Sequence, residues 1–132
     1  MKVIIAGSRD ITDYSLIDQA TKSSGFEITE VVCGLAPGVD SVGESWAKNN
    51  GIPVQPFPAK WDDLSEPCRI KINNYGRKYN ALAGFNRNQE MAQYADALVC
   101  ITNGSPGSKD MIERMKKLDK PVYILEVTKE DV

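Results

Sequence analysis

The chain has 132 residues, the size of one domain, and its 42% hydrophobic and 26% charged residues are typical of a globular protein. A net charge of −2 and a pI of about 5.2 disfavour non-specific duplex binding, which depends on a basic surface. No apolar run reaches the roughly 18 residues of a membrane span, and the absence of histidine excludes histidine-based triads and ordinary zinc catalysis.

Segments that predict strands and helices follow one another along the chain. Strands are predicted at residues 2–6, 28–33, 52–57, 97–101 and 121–126. Helices are predicted at residues 14–23, 42–50, 84–94 and 109–118. Asp13 is suited to cap the first helix, and Ser41 and Glu44 have capping-box spacing at the start of the second.

This alternation favours a parallel sheet with helices on both faces, so we predict a Rossmann-like, doubly wound α/β fold. Short right-handed connections give its five strands the order 3-2-1-4-5. Residues 1–132 are expected to form a single domain with an irregular or lid-like insertion at about residues 59–83. That stretch is too long for an ordinary loop, so we expect it to contain some helix or to form a lid.

The three cysteines, Cys33, Cys68 and Cys100, have no paired spacing. Cys33 and Cys100 each end an apolar run, which predicts buried free thiols rather than a disulfide or a zinc site. The apolar stretch at the N-terminus is too short for a signal peptide and predicts the first strand instead. We therefore expect a cytoplasmic protein with no metal and no cofactor.

The turn after the fourth strand is rich in glycine and serine. It contains Gly104, Ser105, Gly107 and Ser108 immediately before a helix. Free N–H groups at the helix start, together with the serine hydroxyls, suit a phosphate group. The alternative is a tight turn with a helix cap, which needs only one glycine and one serine.

The turn after the second strand contains the candidate ligand-binding residues Gly34, Ala36, Gly38 and Asp40. Its glycines allow a ligand to approach the backbone closely. Asp40 is suited either to accept hydrogen bonds from ribose hydroxyls or simply to cap the following helix. The pattern matches neither a dinucleotide-binding fingerprint nor a P-loop.

The turn after the first strand is Gly7-Ser8-Arg9. In the predicted strand order this turn lies beside the turn after strand four, at the point where the winding reverses and ligands bind. An arginine at this point is suited to hold a phosphate or a carboxylate. The alternative is an exposed surface arginine.

The turns and helices occur in the order GSR, GLAPGVDSVGESWA, AGFNRNQEMAQYADALVCI and NGSPGSKDMI. In this order they resemble the SLOG superfamily, particularly its small YspA-like, cpYpsA-related members, over nearly the whole chain except about residues 62–82. The superfamily includes lonely-guy phosphoribohydrolases, DprA-type single-strand DNA binders and nucleotide-signal sensor domains. The resemblance implies a Rossmann-like fold and a nucleotide-related ligand, without choosing an activity.

Two segments resemble the phosphoribohydrolases closely enough to compare residue by residue. Residues 87–91 resemble their Arg-Lys-x-x-Met segment, and residues 103–111 resemble Pro-Gly-Gly-x-Gly-Thr-x-x-Glu. The resemblance assigns ligand contacts to Arg87 and Asn88. The alternative for Arg87 is a solvated or salt-bridged surface arginine. Met111 stands where the catalytic glutamate would be, and a thioether cannot accept a proton. Phosphoribohydrolase activity is therefore disfavoured.

The predicted insertion has an unusual charge pattern. Four basic residues occur without an intervening acid and are interleaved with two tyrosines; they are Arg69, Lys71, Arg77 and Lys78, with Tyr75 and Tyr79. Such a segment can contact phosphates and stack on bases, or it can be a solvated face or a subunit contact. Trp46 and Trp61 are interpreted as packing residues.

Our leading hypothesis from the sequence is a protein that binds a nucleotide or an ADP-ribose-like phosphate ligand as a sensor, carrier or sequestering protein. The first alternative is a hydrolase that cleaves an N-glycosidic or phosphoester bond of a nucleotide. The second is a DprA-like binder of single-stranded nucleic acid, which the charge disfavours without excluding it. Self-association into a homo-oligomer is left open.

Overall fold

The computed structural model describes residues 1–64 and 69–127. Five parallel strands form the main sheet: β1 (Lys2–Gly7), β2 (Glu30–Cys33), β3 (Val54–Pro56), β6 (Ala97–Thr102) and β7 (Val122–Glu126). Between β3 and β6 along the chain, β4 (Ile70–Ile72) and β5 (Lys78–Asn80) form a separate antiparallel hairpin. The order of the main sheet is β3-β2-β1-β6-β7. This is the predicted order 3-2-1-4-5, relabelled because the two hairpin strands intervene.

Four helices cover the sheet: α1 (Tyr14–Ser24), α2 (Val39–Asn49), α3 (Ala83–Tyr94) and α4 (Pro106–Lys117). Successive residues of a strand point to opposite faces. Val3 and Ile5 accordingly belong to a core cluster with residues of α1 and α2, whereas Ile4 and Ala6 belong to a second cluster with residues of α3 and α4. The predicted Rossmann-like α/β class is confirmed.

The helices after β2 and β6 begin earlier than the sequence predicts. Gly38, with a φ of 78°, is the N-cap of α2, and no side chain caps this helix. The predicted capping box of Ser41 and Glu44 is therefore wrong, because both residues lie inside the helix. Helix α4 begins at Pro106, since a proline at the first helical position has a suitable φ and lacks only an N–H that would have no partner there.

The insertion at about residues 59–83, for which we expected some helix or a lid, contains a hairpin. Within the described residues of this stretch the regular structure is β4 and β5, which pair from Ile70 with Asn80 to Ile72 with Lys78. Ile70 and Ile72 are 56% and 65% exposed, so the hairpin is not packed into either core cluster. The alternation of apolar and polar residues in such a short hairpin is too brief to distinguish it from a loop.

Cys33 and Cys100 are buried free thiols, as predicted. Burial raises the pKa of Cys33 to about 11 and that of Cys100 to about 12, so both remain protonated at neutral pH. Cys68 lies outside the described residues. Across residues 1–64 and 69–127, no helix combines the length and the apolar character needed to span a bilayer.

Candidate functional site

A cleft of about 540 Å³ lies at the carboxyl ends of β1, β2 and β6. Among the residues predicted to bind a ligand, those that line it are Gly7, Arg9, Ala36, Asp40, Arg87, Asn88, Ser105, Gly107 and Ser108. Its size is within the range of about 300–1,000 Å³ that small-molecule sites occupy. The cleft thus brings together side chains from three loops and from helix α3.

The other predicted site residues, Ser8, Gly34, Gly38 and Gly104, do not line this cleft. Gly34 lines an adjoining cavity of about 300 Å³, which shares Arg9 and Arg87 with the cleft. Ser8 is 1% exposed and lies beneath the surface, where its hydroxyl contacts other residues of the fold. These residues therefore shape or border the cleft in this structure.

Gly38 allows the loops after β1 and β2 to pack closely against each other. Its φ of +78° favours glycine, and a Cβ added there would lie 2.3 Å from the carbonyl oxygen of Arg9. The next residue, Val39, donates a 3.3 Å backbone hydrogen bond to the carbonyl of Ser8. The position of Arg9 at the cleft therefore depends on a glycine from a different loop.

A set of hydroxyl groups supports the start of α4. The Ser8 hydroxyl accepts a 3.0 Å hydrogen bond from the N–H of Asn103 and lies 3.0 Å from the Ser105 hydroxyl, which lies 2.8 Å from that of Ser108. Because Pro106 has no N–H, Gly107 and Ser108 carry the first N–H groups of the helix, which have no intrahelical acceptor. Both residues line the cleft, so the start of α4 lies at the cleft, and a helix start of this kind suits an anion.

Asp10 is a cleft residue that the sequence did not single out. Its two carboxylate oxygens accept hydrogen bonds of 2.8 and 2.9 Å from the side-chain amide of Asn103. This contact joins the loop after β1 to the loop after β6 across the cleft edge. No local pattern could have predicted it, because the two residues are far apart in sequence.

Asp40 places a buried carboxyl group at the cleft. It is 5% exposed, and its Oδ2 accepts a 3.4 Å hydrogen bond from the N–H of Ala36. Burial raises the pKa of this carboxyl to about 6, while the positive charges of Arg87 and Arg9 partly oppose that rise. Asp40 lies in the first turn of α2, so capping by its side chain is not its role.

Arg87 holds parts of the fold together as well as lining the cleft. Its Nη1 donates to the carbonyl of Gly34 and, at 3.5 Å, to that of Phe57. Its Nε donates a 3.2 Å hydrogen bond to Asn88 Oδ1. Burial lowers the pKa of the guanidinium, and the charge of Asp40 opposes this change. Part of the hydrogen-bonding capacity that a ligand anion would use is therefore already occupied.

Met111 lies in the cleft wall, where it is 1% exposed and also packs in the core cluster with α3. The nearest acids in sequence do not replace a glutamate there. Asp110 binds Arg114 Nε at 2.8 Å and Asn88 Nδ2 at 3.0 Å, and Glu113 is exposed. Neither acid lines the cleft.

Comparison with solved structures shows a similar fold in the DNA processing protein A (DprA) from Streptococcus pneumoniae, with a TM-score of 0.72 and 18% sequence identity. The alignment covers 98% of this chain and 52% of that protein, so the chain spans about half of its length. Comparison with curated proteins gave no match. The model of the YspA, cpYpsA-related SLOG family (YAcAr) matches residues 1–63, which confirms the resemblance seen in the motifs of that part of the chain.

Proposed function

We propose that this protein binds a nucleotide or a nucleotide-derived, ADP-ribose-like phosphate ligand in the cleft, as a sensor, carrier or sequestering protein. The observation that carries the proposal is the meeting of Arg9, the start of α4 and the buried Asp40 in one cleft of about 540 Å³. A cation and free backbone N–H groups suit a phosphate, and a buried carboxylate suits sugar hydroxyls.

The phosphate is assigned to Arg9 and the first turn of α4. Arg9 is exposed at the cleft, where its guanidinium can form charge-assisted hydrogen bonds with phosphate oxygens. Gly107 and Ser108 carry the first N–H groups of α4, at the positive end of the helix dipole. The Ser105 hydroxyl, at 3.0 Å from that of Ser8, completes the set of donors.

The ribose is assigned to Asp40, which can accept hydrogen bonds from two adjacent hydroxyl groups when it is ionised. Because burial raises its pKa to about 6, the carboxyl is mostly ionised at neutral pH and becomes protonated in mild acid. Hydroxyl groups of the ligand would donate hydrogen bonds to the buried carboxylate and offset part of the free energy that its desolvation costs. Affinity for a ribose-containing ligand should therefore fall as the pH drops below about 6.

Binding without turnover is the form of this function that the cleft favours. Hydrolysis by the phosphoribohydrolase mechanism needs a carboxylate beside the bond that breaks, and Met111 occupies the position that the phosphoribohydrolase segments give to glutamate. The hydrolase alternative would have to rely on Asp10, on Asp40 or on a group from another chain. We therefore rank it below the binder.

Two measurements test the proposal. Mass spectrometry of small molecules released on denaturing the purified protein identifies a co-purifying ligand without bias. Calorimetric titration with nucleoside phosphates then compares the wild type with Arg9→Ala, which should weaken binding by about 1.5–3 kcal/mol, the scale of a charged hydrogen bond. Arg77→Ala, at an exposed arginine outside the cleft, is the matched control and should bind normally.

Normal binding by Arg9→Ala would remove Arg9 from the site. Failure of the wild type to bind any nucleoside phosphate or sugar phosphate, together with no released ligand, would reject the proposed function as a whole.

A second candidate function is association with single-stranded nucleic acid, and the hairpin is the observation that favours it. Arg69, Lys71, Arg77 and Lys78 are all exposed, and Tyr75 near the turn is 90% exposed. The structurally similar protein is named a DNA processing protein, and basic and aromatic side chains together suit single strands. Oligonucleotide binding that weakens steeply with salt and is lost in Arg77→Ala, but not in Arg9→Ala, would establish this function instead.

A further inference from the structure

Two partly exposed aromatic side chains line the same cleft as Arg9 and the start of α4. Trp61 is 40% exposed and Phe85 is 38% exposed, and neither position was predicted to contact a ligand. We propose that these rings form a stacking subsite for the nucleobase of the ligand. The proposal rests on the proposed function and extends it, because it assigns to the base a share of the affinity that the phosphate contacts cannot supply.

The ring of Trp61 is held in place by its neighbours. A Cβ added at Gly84 would lie 3.4 Å from Trp61 Cη2, so the indole packs directly on the first turn of α3. The Tyr79 ring meets it edge-on, with centroids 6.4 Å apart and an interplanar angle of 64°. The carbonyl of Trp61 accepts a 2.6 Å hydrogen bond from the N–H of Asn80, which anchors its backbone to the base of the hairpin.

A positioned ring is a better stacking platform than a free one, because little side-chain entropy remains to be lost on binding. Gly84 contributes to this arrangement by leaving room for the indole beside the helix. Single exposed aromatic residues are ordinary on a protein surface. Here two aromatic rings line one cleft, and Gly84 and Tyr79 hold one of them, Trp61, in place. This arrangement indicates a surface on which a flat apolar group of a ligand would stack.

The rest of the lining agrees with a ligand that is part anion and part apolar. The charged lining residues are Arg9, Asp10, Asp40 and Arg87, whereas Ala81, Met91 and Pro106 add to the apolar surface of Trp61 and Phe85. Inorganic phosphate or a sugar phosphate would leave that apolar surface in contact with water. A nucleotide would cover it, and stacking accepts any of the common bases because each has a π face.

The test uses the fact that the chain has two tryptophans. Trp46 is 7% exposed, lies in the core cluster on the α1 and α2 face, and donates from Nε1 to Asp18 at 3.2 Å, so Trp46→Phe leaves Trp61 as the single indole reporter. Titration with adenosine 5′-monophosphate should quench the Trp61 fluorescence. Ribose 5-phosphate, which lacks the base, should bind without this quenching.

A second measurement, calorimetry on the full chain, needs no substitution at Trp46. The wild type should bind adenosine 5′-monophosphate about 5- to 150-fold more tightly than ribose 5-phosphate, the range expected for one stacked base. Trp61→Leu should remove this advantage and leave the affinity for ribose 5-phosphate unchanged. Tyr14→Leu, at a partly exposed ring outside the cleft, is the matched control and should retain the advantage.

Equal binding of the two probes by the wild type, or an advantage that survives in Trp61→Leu, would overturn the stacking subsite while leaving the phosphate site intact. Absence of binding by both probes would instead reject the proposed function together with the subsite.

Discussion

Replacement of Asp40 by asparagine should make the empty protein more stable at neutral pH. Asp40 is 5% exposed, and burial raises its pKa from the ordinary 3.8 to about 6. At about 1.36 kcal/mol for each pKa unit, this difference means that the ionised carboxylate destabilises the fold by about 3 kcal/mol. Asparagine has nearly the same shape, carries no charge and can still accept the hydrogen bond from Ala36.

The direction of the pH dependence follows from proton binding. Because the pKa of Asp40 is higher in the folded state, the folded protein binds more protons than the unfolded chain between about pH 4 and pH 6. The contribution of Asp40 to stability therefore falls as the pH rises through this window and is constant above it. The advantage of Asp40→Asn should be small at pH 4, grow to about pH 6 and reach up to about 3 kcal/mol at pH 7.

Urea unfolding of the wild type and Asp40→Asn at several pH values measures this difference, and comparison of the two proteins removes contributions from other groups. Glu113→Gln, at an exposed acid outside the cleft, is the matched control and should change stability little at any pH. If Asp40→Asn were less stable than the wild type at pH 7, or if its effect were the same at pH 4 and pH 7, the ionised carboxylate of Asp40 would not destabilise the fold.

Two further predictions concern the shape and the chemistry of the cleft. In urea unfolding, Gly51→Ala should destabilise the fold by about 1–2 kcal/mol, because Gly51 has a positive φ. Gly38→Ala should destabilise it clearly more. Gly38 also has a positive φ, but there the added Cβ would meet the carbonyl of Arg9. Equal losses would mean that the loop moves aside. The protein should also bind adenosine 5′-monophosphate without releasing adenine, as followed by chromatography, because Met111 offers no carboxylate; rapid release would show that another acid acts.

The sheet could be predicted from the sequence because its signals are local. Short apolar runs that end at Gly7 and Gly34 mark strands, and helical patterns between them mark parallel connections. These two facts, with right-handed connections, lead to a single strand order. The same order places the loop that contains Arg9 beside the loop that contains Ser105, which is where the structure has them.

Features that depend on contacts between distant segments could not be predicted in the same way. The N-cap of α2 is Gly38, where the carbonyl of Arg9 leaves no room for a Cβ, whereas the local pattern favoured Ser41. The pairing of Asp10 with Asn103 joins two loops separated by most of the chain. Trp61 was interpreted as a packing residue, and its ring does pack on Gly84 and Tyr79, but nothing in its neighbourhood in sequence shows that the ring also lines the cleft.

Substitution of Asp40 also tests whether the cleft is a binding site or only a gap in the packing. A carboxylate that destabilises the empty protein can be compensated by a ligand that donates hydrogen bonds to it, and a ribose diol does so. Asp40→Asn should then raise stability at pH 7 and weaken binding of ribose 5-phosphate, as measured by unfolding and calorimetry on the same preparations. Phosphate contacts at Arg9 and Ser108 would remain, so affinity for inorganic phosphate should not change. Opposite effects on stability and ribose binding would assign Asp40 to ligand recognition. A gain in stability with no loss of ribose 5-phosphate binding would contradict that role.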